Sequence, residues 1–177
     1  MRAARPISLA LVFALSAPLA SCAGNPGAQA WAALVCSKLS PWRAEIDSLT
    51  TRTQQLMTAE TTPGQAKENL ARLFAGAATA SETARAGVEK AGVPDVTNGE
   101  AIAGGFLTSL AGIRDAYGNA RSGIESLPVS DDVKGFYTEV GKVVEQLGTD
   151  YQKSSLDTTS LESVELRQAF DSLPECR

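Results

Sequence analysis

Cysteine carries most of the distinctive chemistry that this sequence offers. The chain contains three cysteines, Cys22, Cys36 and Cys176, and no histidine. A thiol can be acylated, oxidised to a disulfide, bind a metal or act as a nucleophile, and the last two uses commonly involve a neighbouring histidine. The absence of histidine excludes Cys-His and Ser-His-Asp catalysis. We therefore expect the cysteines to serve in lipidation and in a disulfide.

The sequence before Cys22 is typical of an export signal. Two arginines precede the mainly apolar residues 7–15, which are too few to span ~30 Å of hydrocarbon, a distance that takes about 20 residues. Small residues then lead to Cys22 in the order LASC, which resembles the bacterial lipobox, where a peptidase cuts before a lipid-modified cysteine. The alternative is an ordinary signal cut near residue 30, which would leave a soluble product without a lipid anchor.

This pattern predicts the organisation of the chain. Residues 1–21 are a lipoprotein signal peptide, residues 22–29 are the lipidated cysteine with a flexible tether, and residues 30–177 are a helical domain. Each buried CH₂ of an acyl chain contributes ~0.8 kcal/mol, so two or three chains hold a protein firmly on a bilayer. We expect an exported protein on the outer face of the cell membrane, with the lipid bilayer as its partner through Cys22.

The other two cysteines form the next prediction. If Cys22 is lipidated, Cys36 and Cys176 remain as one pair, and export places that pair in an oxidising compartment. A disulfide between them would close a loop of about 140 residues, for which loop-entropy models give ~4 to 5 kcal/mol. Two free thiols are the alternative.

Charge and composition narrow the function further. The net charge is −4 and would become −6 once the two arginines of the signal are removed. An acidic surface argues against binding to nucleic acid or to anionic lipid headgroups. The sequence contains no set of metal ligands at familiar spacing and no nucleotide-binding loop. We therefore predict a protein that is not an enzyme and that carries no cofactor or metal.

Apolar residues recur at helical spacing along the whole domain. The four apolar seams run from Val35 to Leu56, Leu70 to Val88, Ile102 to Ile124 and Val133 to Tyr151. Thr62-Pro63 and Ser130-Asp131-Asp132 are start signals for helices, and Ser40-Pro41 predicts a kink or restart inside the first one. The expected fold is all-α, an up-down antiparallel four-helix bundle with a short C-terminal helix, pinned by Cys36 and Cys176.

Several short phrases resemble a known group of proteins. They are Trp31 with Cys36 and Leu39, then AGVPDVTNGEA, LPVSDDVKGF and AFDSLPEC. Together they resemble small secreted lipoproteins of actinobacteria, the high-GC Gram-positive bacteria, most of which are uncharacterised. The resemblance implies a helical, exported protein and carries no catalytic residues.

Glycines in the third and fourth helices suggest one possible site. Gly105 and Gly112 are seven residues apart, as are Gly141 and Gly148, so each pair shares a helix face. A glycine inside a helix lowers its stability by ~0.5 to 1 kcal/mol relative to alanine, so its presence there indicates a structural or functional role. The glycines either allow close packing or line an apolar cavity. A cavity would make the protein a carrier or sensor of a lipid or cell-wall precursor.

Aromatic residues beside the seams suggest a surface for a partner. Phe74 and Tyr137 flank the second and fourth seams and are the candidate partner patch. Trp31 follows the tether, where it would either lie at the membrane interface or staple the start of the first helix. The leading functional hypothesis is a non-enzymatic binding or scaffold module for an envelope protein partner.

Overall fold

A computed structural model describes residues 24–130, 132–155, 158 and 161–176. Within these ranges the chain is all-helical and contains no strand, which confirms the predicted fold class. The predicted signal peptide and Cys22 lie outside the described residues. The elements are α1 (Ala28–Leu56), α2 (Pro63–Glu89), α3 (Gly99–Ser126), α4 (Val133–Ser154), α5 (Val164–Ser172) and a 3₁₀ turn (Pro174–Cys176).

Local capping chemistry explains where the helices begin. The Thr62 hydroxyl accepts the Gln65 backbone N–H at 3.3 Å, while the Gln65 side chain accepts the Thr62 N–H at 3.0 Å, which completes a capping box. Asp132 accepts the backbone N–H of Gly135 at 2.9 Å at the start of α4. These caps satisfy N–H groups that have no partner inside the helix.

The first helix differs from its prediction at two places. It begins at Ala28, inside the predicted tether, and the backbone N–H of Asp95 donates to the Pro26 carbonyl at 2.8 Å, which fixes the entry of the chain. The helix also continues through Pro41 without a restart. Proline removes only one helical hydrogen bond, and Ser37, whose carbonyl loses that bond, is exposed and open to hydration.

Packing is organised around the antiparallel pair α2 and α3, which make the most extensive contact. Helix α1 packs along α2, and α4 packs along α3, as an up-down bundle requires. The bundle is open on one side, because α1 and α4 barely touch. Helix α5 and the 3₁₀ turn fold back against the first half of α1.

The buried residues form two clusters. One cluster joins the start of α1 to the end of α2, the start of α3 and α5, around Trp31, Phe106 and Phe170. The other joins the opposite ends of α2 and α3 to α4, around Phe74, Ile124 and Phe136. Trp31 is fully buried, so it is a core residue and does not lie at a membrane interface.

The disulfide closes the first cluster. The Cys36 and Cys176 sulfurs are 2.00 Å apart and bridge a sequence separation of 140 residues. This bond fastens the C-terminal turn to α1, as predicted. None of the described helices combines the length and the apolar character needed to cross a bilayer.

A charged bridge ties α2 to α3 beside the core. Glu82 accepts hydrogen bonds from Arg85 on its own helix at 2.7 Å and from Arg114 of α3 at 2.8 Å. The hydrogen bonds from these guanidinium groups lower the pKa of Glu82 to about 2. The bridge therefore stays intact at neutral pH.

Stability should fall in acid through this carboxylate. Because the folded-state pKa of Glu82 lies below its unfolded value, its contribution is present above about pH 4.5 and is lost as the pH falls toward 2. Denaturant unfolding at pH 7 and pH 3 should show a smaller acid-induced loss of stability for Glu82→Gln than for the wild type. Glu139→Gln on α4, an exposed glutamate that pairs with Lys142 on its own helix, is the control. An equal acid loss in all three proteins would contradict this assignment.

Candidate functional site: a groove between α1 and α2

A concave feature formed by the described residues is a groove between α1 and α2. Its volume is about 540 Å³ and it opens to solvent along one side. Helix α1 contributes Lys38, Pro41, Trp42 and Glu45 to its wall. Helix α2 contributes only alanine, glycine and threonine, at positions 75, 76, 79, 80, 83 and 84. The groove is thus apolar inside and charged only at its α1 rim.

Small residues on α2 bring the two helices close together. A Cβ atom on Gly76 would lie 2.9 Å from a Leu49 methyl group, and one on Gly87 would lie 2.8 Å from Lys38 Cγ. Side chains of α1 therefore lie directly on the α2 backbone at both ends of the groove. Between these two contacts the short α2 side chains do not fill the space beside α1, which leaves the groove open.

Trp42 forms the rigid part of the wall. Its indole Nε1–H donates to the Ser81 hydroxyl at 3.0 Å, and that hydroxyl donates to the Ala77 carbonyl at 2.8 Å. Ser81 is fully buried, so this chain of bonds satisfies polar groups that water cannot reach. The bonds hold the half-buried indole between the helices, with part of its ring exposed to the groove.

Two opposite charges stand at the rim. Lys38 and Glu45 are both exposed and lie seven residues apart on α1, which places them on the same side of the helix. Glu45 forms an exposed ion pair with Arg52 at 3.3 Å, which contributes little to stability. Lys38 forms no ion pair with any described residue. A ligand or partner in the groove would therefore meet the Lys38 ammonium group at one end of the rim and the Glu45 carboxylate, paired with Arg52, at the other.

The four glycines predicted to line a cavity between α3 and α4 are found in close packing or on the surface. A Cβ on Gly112 would lie 2.5 Å from the Ser154 hydroxyl, so this glycine allows close approach. Gly141 and Gly148 are exposed with open space beside them and do not face α3. Gly105 is half-buried on α3. The cleft between α3 and α4 measures about 120 Å³ and is lined by Gly123, which is not one of the four predicted glycines.

The two residues of the predicted partner patch differ in burial. Phe74 is only 4 % exposed and stacks on Tyr117 with the ring centroids 6.5 Å apart. Tyr137 is half-buried with its ring edge-on to Phe136 at 5.3 Å. Phe74 is therefore a core residue. It was misassigned because α3 and α4 both close over it, which the seam of α2 alone does not reveal.

Two features of the described residues bear on metal binding and proton transfer. These residues contain no group of three histidine, cysteine, aspartate or glutamate side chains able to hold a metal ion. Burial raises the pKa of Tyr117 to about 12, and its neighbour Tyr151, 6.2 Å away between ring centroids, also has a raised pKa from burial. Both phenols therefore stay protonated at neutral pH.

The groove residues could have been found from the sequence only in part. An alanine-rich face on the second helix indicates close approach of a neighbour, and Gly76 and Gly87 share that face, eleven residues apart. That this face meets α1 is visible only in the structure. In comparisons with protein-family models, curated proteins and solved structures, nothing matches this chain.

Proposed function

We propose that this protein is an extracytoplasmic lipoprotein, anchored to the outer face of the cell membrane through acylated Cys22, whose helical body docks an envelope protein partner without catalysing a reaction. The α1–α2 groove carries the docking part of the proposal. It is apolar, open and bounded by a fixed indole, which are the features of a surface that receives a helix of another protein. The lipobox-like sequence supports the anchor.

The segment between Cys22 and the fixed start of α1 is short. Pro26 is held by Asp95, so only residues 23–25 lie between that fixed point and Cys22. Four residue steps reach at most ~14 Å when extended. The helical body would therefore stay close to the membrane surface, within reach of other anchored proteins.

The alternative function predicted from the sequence is a carrier or sensor of an apolar ligand between the third and fourth helices. It has less support, because the cleft there measures about 120 Å³. Sites for small organic ligands usually measure ~300 to 1,000 Å³. Protein docking in the larger α1–α2 groove therefore has more support than ligand carriage between α3 and α4.

The anchor has a direct test. Mass analysis of the mature protein should show Cys22 as the N-terminal residue with the added mass of two or three acyl chains. Cys22→Ser should abolish that increment and leave residues 1–21 attached, because the peptidase cuts only before a lipid-modified cysteine. A mature protein that begins downstream of Cys22, or that begins at Cys22 without added acyl mass, would contradict the anchor.

Docking in the groove can be tested by crosslinking from two matched threonine positions, one in the groove and one outside it. Thr83 lines the groove and Thr138 lies on α4; both are exposed, and each hydroxyl donates to the carbonyl four residues earlier. A photo-crosslinking amino acid at position 83 in intact cells should give a protein adduct, whereas one at position 138 should give none. Loss of the position 83 adduct in Ala80→Arg would tie it to the groove. Equal labelling from both positions would count against docking there.

A further inference from the structure

The charges on the groove rim are arranged symmetrically about its centre. Lys38 and Glu45 are two helical turns apart, ~10.5 Å along α1 at 1.5 Å per residue. Pro41 and Trp42 lie midway between them on the same wall. A two-fold axis through this midpoint, with two α1 helices antiparallel, places each Lys38 opposite the Glu45 of the other copy, whose carboxylate also pairs with its own Arg52 at 3.3 Å.

The lysine is held in the position that such a contact needs. Its stem lies across Gly87, where a Cβ atom would come within 2.8 Å of Lys38 Cγ and 3.0 Å of Cδ. The ammonium group is exposed at the end of the groove and forms no ion pair with a described residue. Pro41 is exposed as well, so it forms a protruding ridge on α1. The groove of a second copy, lined on its α2 side by small residues, has room for such a ridge.

We propose that the partner of the α1–α2 groove is a second copy of this chain, packed about a two-fold axis at Pro41 and Trp42 with reciprocal Lys38–Glu45 ion pairs. Each α1 lies in the groove of the other copy, so the interface is isologous and closes on itself. This inference rests on the proposed function, since a lipid anchor confines the copies to one surface and raises their effective concentration.

The reciprocal charges allow a sharp test on the full lipidated protein in detergent or nanodiscs. Lys38→Glu places two carboxylates opposite each other at both symmetric contacts, and Glu45→Lys places two ammonium groups there. Each single variant should weaken self-association about tenfold in sedimentation velocity at low salt. The double variant, Lys38→Glu with Glu45→Lys, should restore it, and so should an equimolar mixture of the two single variants. All three variants should keep the wild-type helical circular dichroism spectrum, because both charged groups are exposed.

Two outcomes would overturn the inference: single variants that associate as tightly as the wild type, or a double variant that stays as weak as the singles. The crosslinker at Thr83 separates this failure from that of the proposed function. An adduct of twice the chain mass supports the second copy. An adduct with a different protein overturns the second copy and leaves the docking function in place. If position 83 gives no protein adduct at all, both fall.

Discussion

Replacing both bridge cysteines, Cys36→Ser with Cys176→Ser, should lower the free energy of unfolding by about 4 to 5 kcal/mol. The disulfide closes a loop of 140 residues, and removing it returns the corresponding chain entropy to the unfolded state. The effect is a large fraction of the ~5 to 15 kcal/mol that stabilises a typical domain. Urea unfolding of the oxidised wild type and the double variant measures it.

The control for this variant is Glu175→Ala, an exposed change next to the bridge that should be nearly neutral. The tail should not detach completely in the double variant, because Leu166 and Phe170 of α5 still pack in the first core cluster. Limited proteolysis should therefore cut after residue 172 sooner than within α5. A loss below about 1 kcal/mol would mean that the bridge does not hold the fold.

Trp31→Ala should cost about 3 to 5 kcal/mol, the range for a large aromatic residue removed from a core. Its side chain is fully buried, and its ring meets Phe106 edge-on at 5.3 Å and Phe170 at 6.2 Å between centroids. Its indole N–H also donates to the Gly92 carbonyl at 2.8 Å, which joins the start of α1 to the end of α2. Thermal and denaturant unfolding measure the loss.

Two related variants separate the causes. Trp31→Phe keeps most of the packing and loses the hydrogen bond, so its cost should be smaller, about 1 kcal/mol. Trp42→Ala removes a half-buried indole at the groove, and it should destabilise less than Trp31→Ala while weakening docking. If the two alanine variants lost the same stability, the distinction between core and groove tryptophans would be wrong.

The fold could be predicted from local signals because each helix carries its own. Thr62-Pro63 with Gln65 sets the start of α2, and Asp132 caps α4, through hydrogen bonds that depend on a few neighbouring residues. The start of α1 was predicted too late, since the contact that fixes it comes from Asp95, distant in sequence. Pro41 does not end α1, because it removes only one helical hydrogen bond and the Ser37 carbonyl is exposed to water.

The candidate site could be predicted much less well. Gly141 and Gly148 share a face, yet that face points to solvent, and Phe74 lies beside a seam yet is buried under two helices. Spacing indicates which residues share a face of one helix. It does not indicate which neighbour that face meets, or whether it meets one.

By itself, therefore, the sequence determined the helical class and the order of the helices, because periodicity and capping act within single segments. It predicted the pairing of Cys36 with Cys176 on the condition that Cys22 is lipidated, since elimination leaves one pair in that case. The tertiary structure alone decided that α1 and α4 stand apart, that Trp31 is core while Trp42 borders a groove, and that Gly76 and Gly87 are the points of close approach. The physical reason is that a groove exists only between two helices, and its shape depends on how closely their backbones approach.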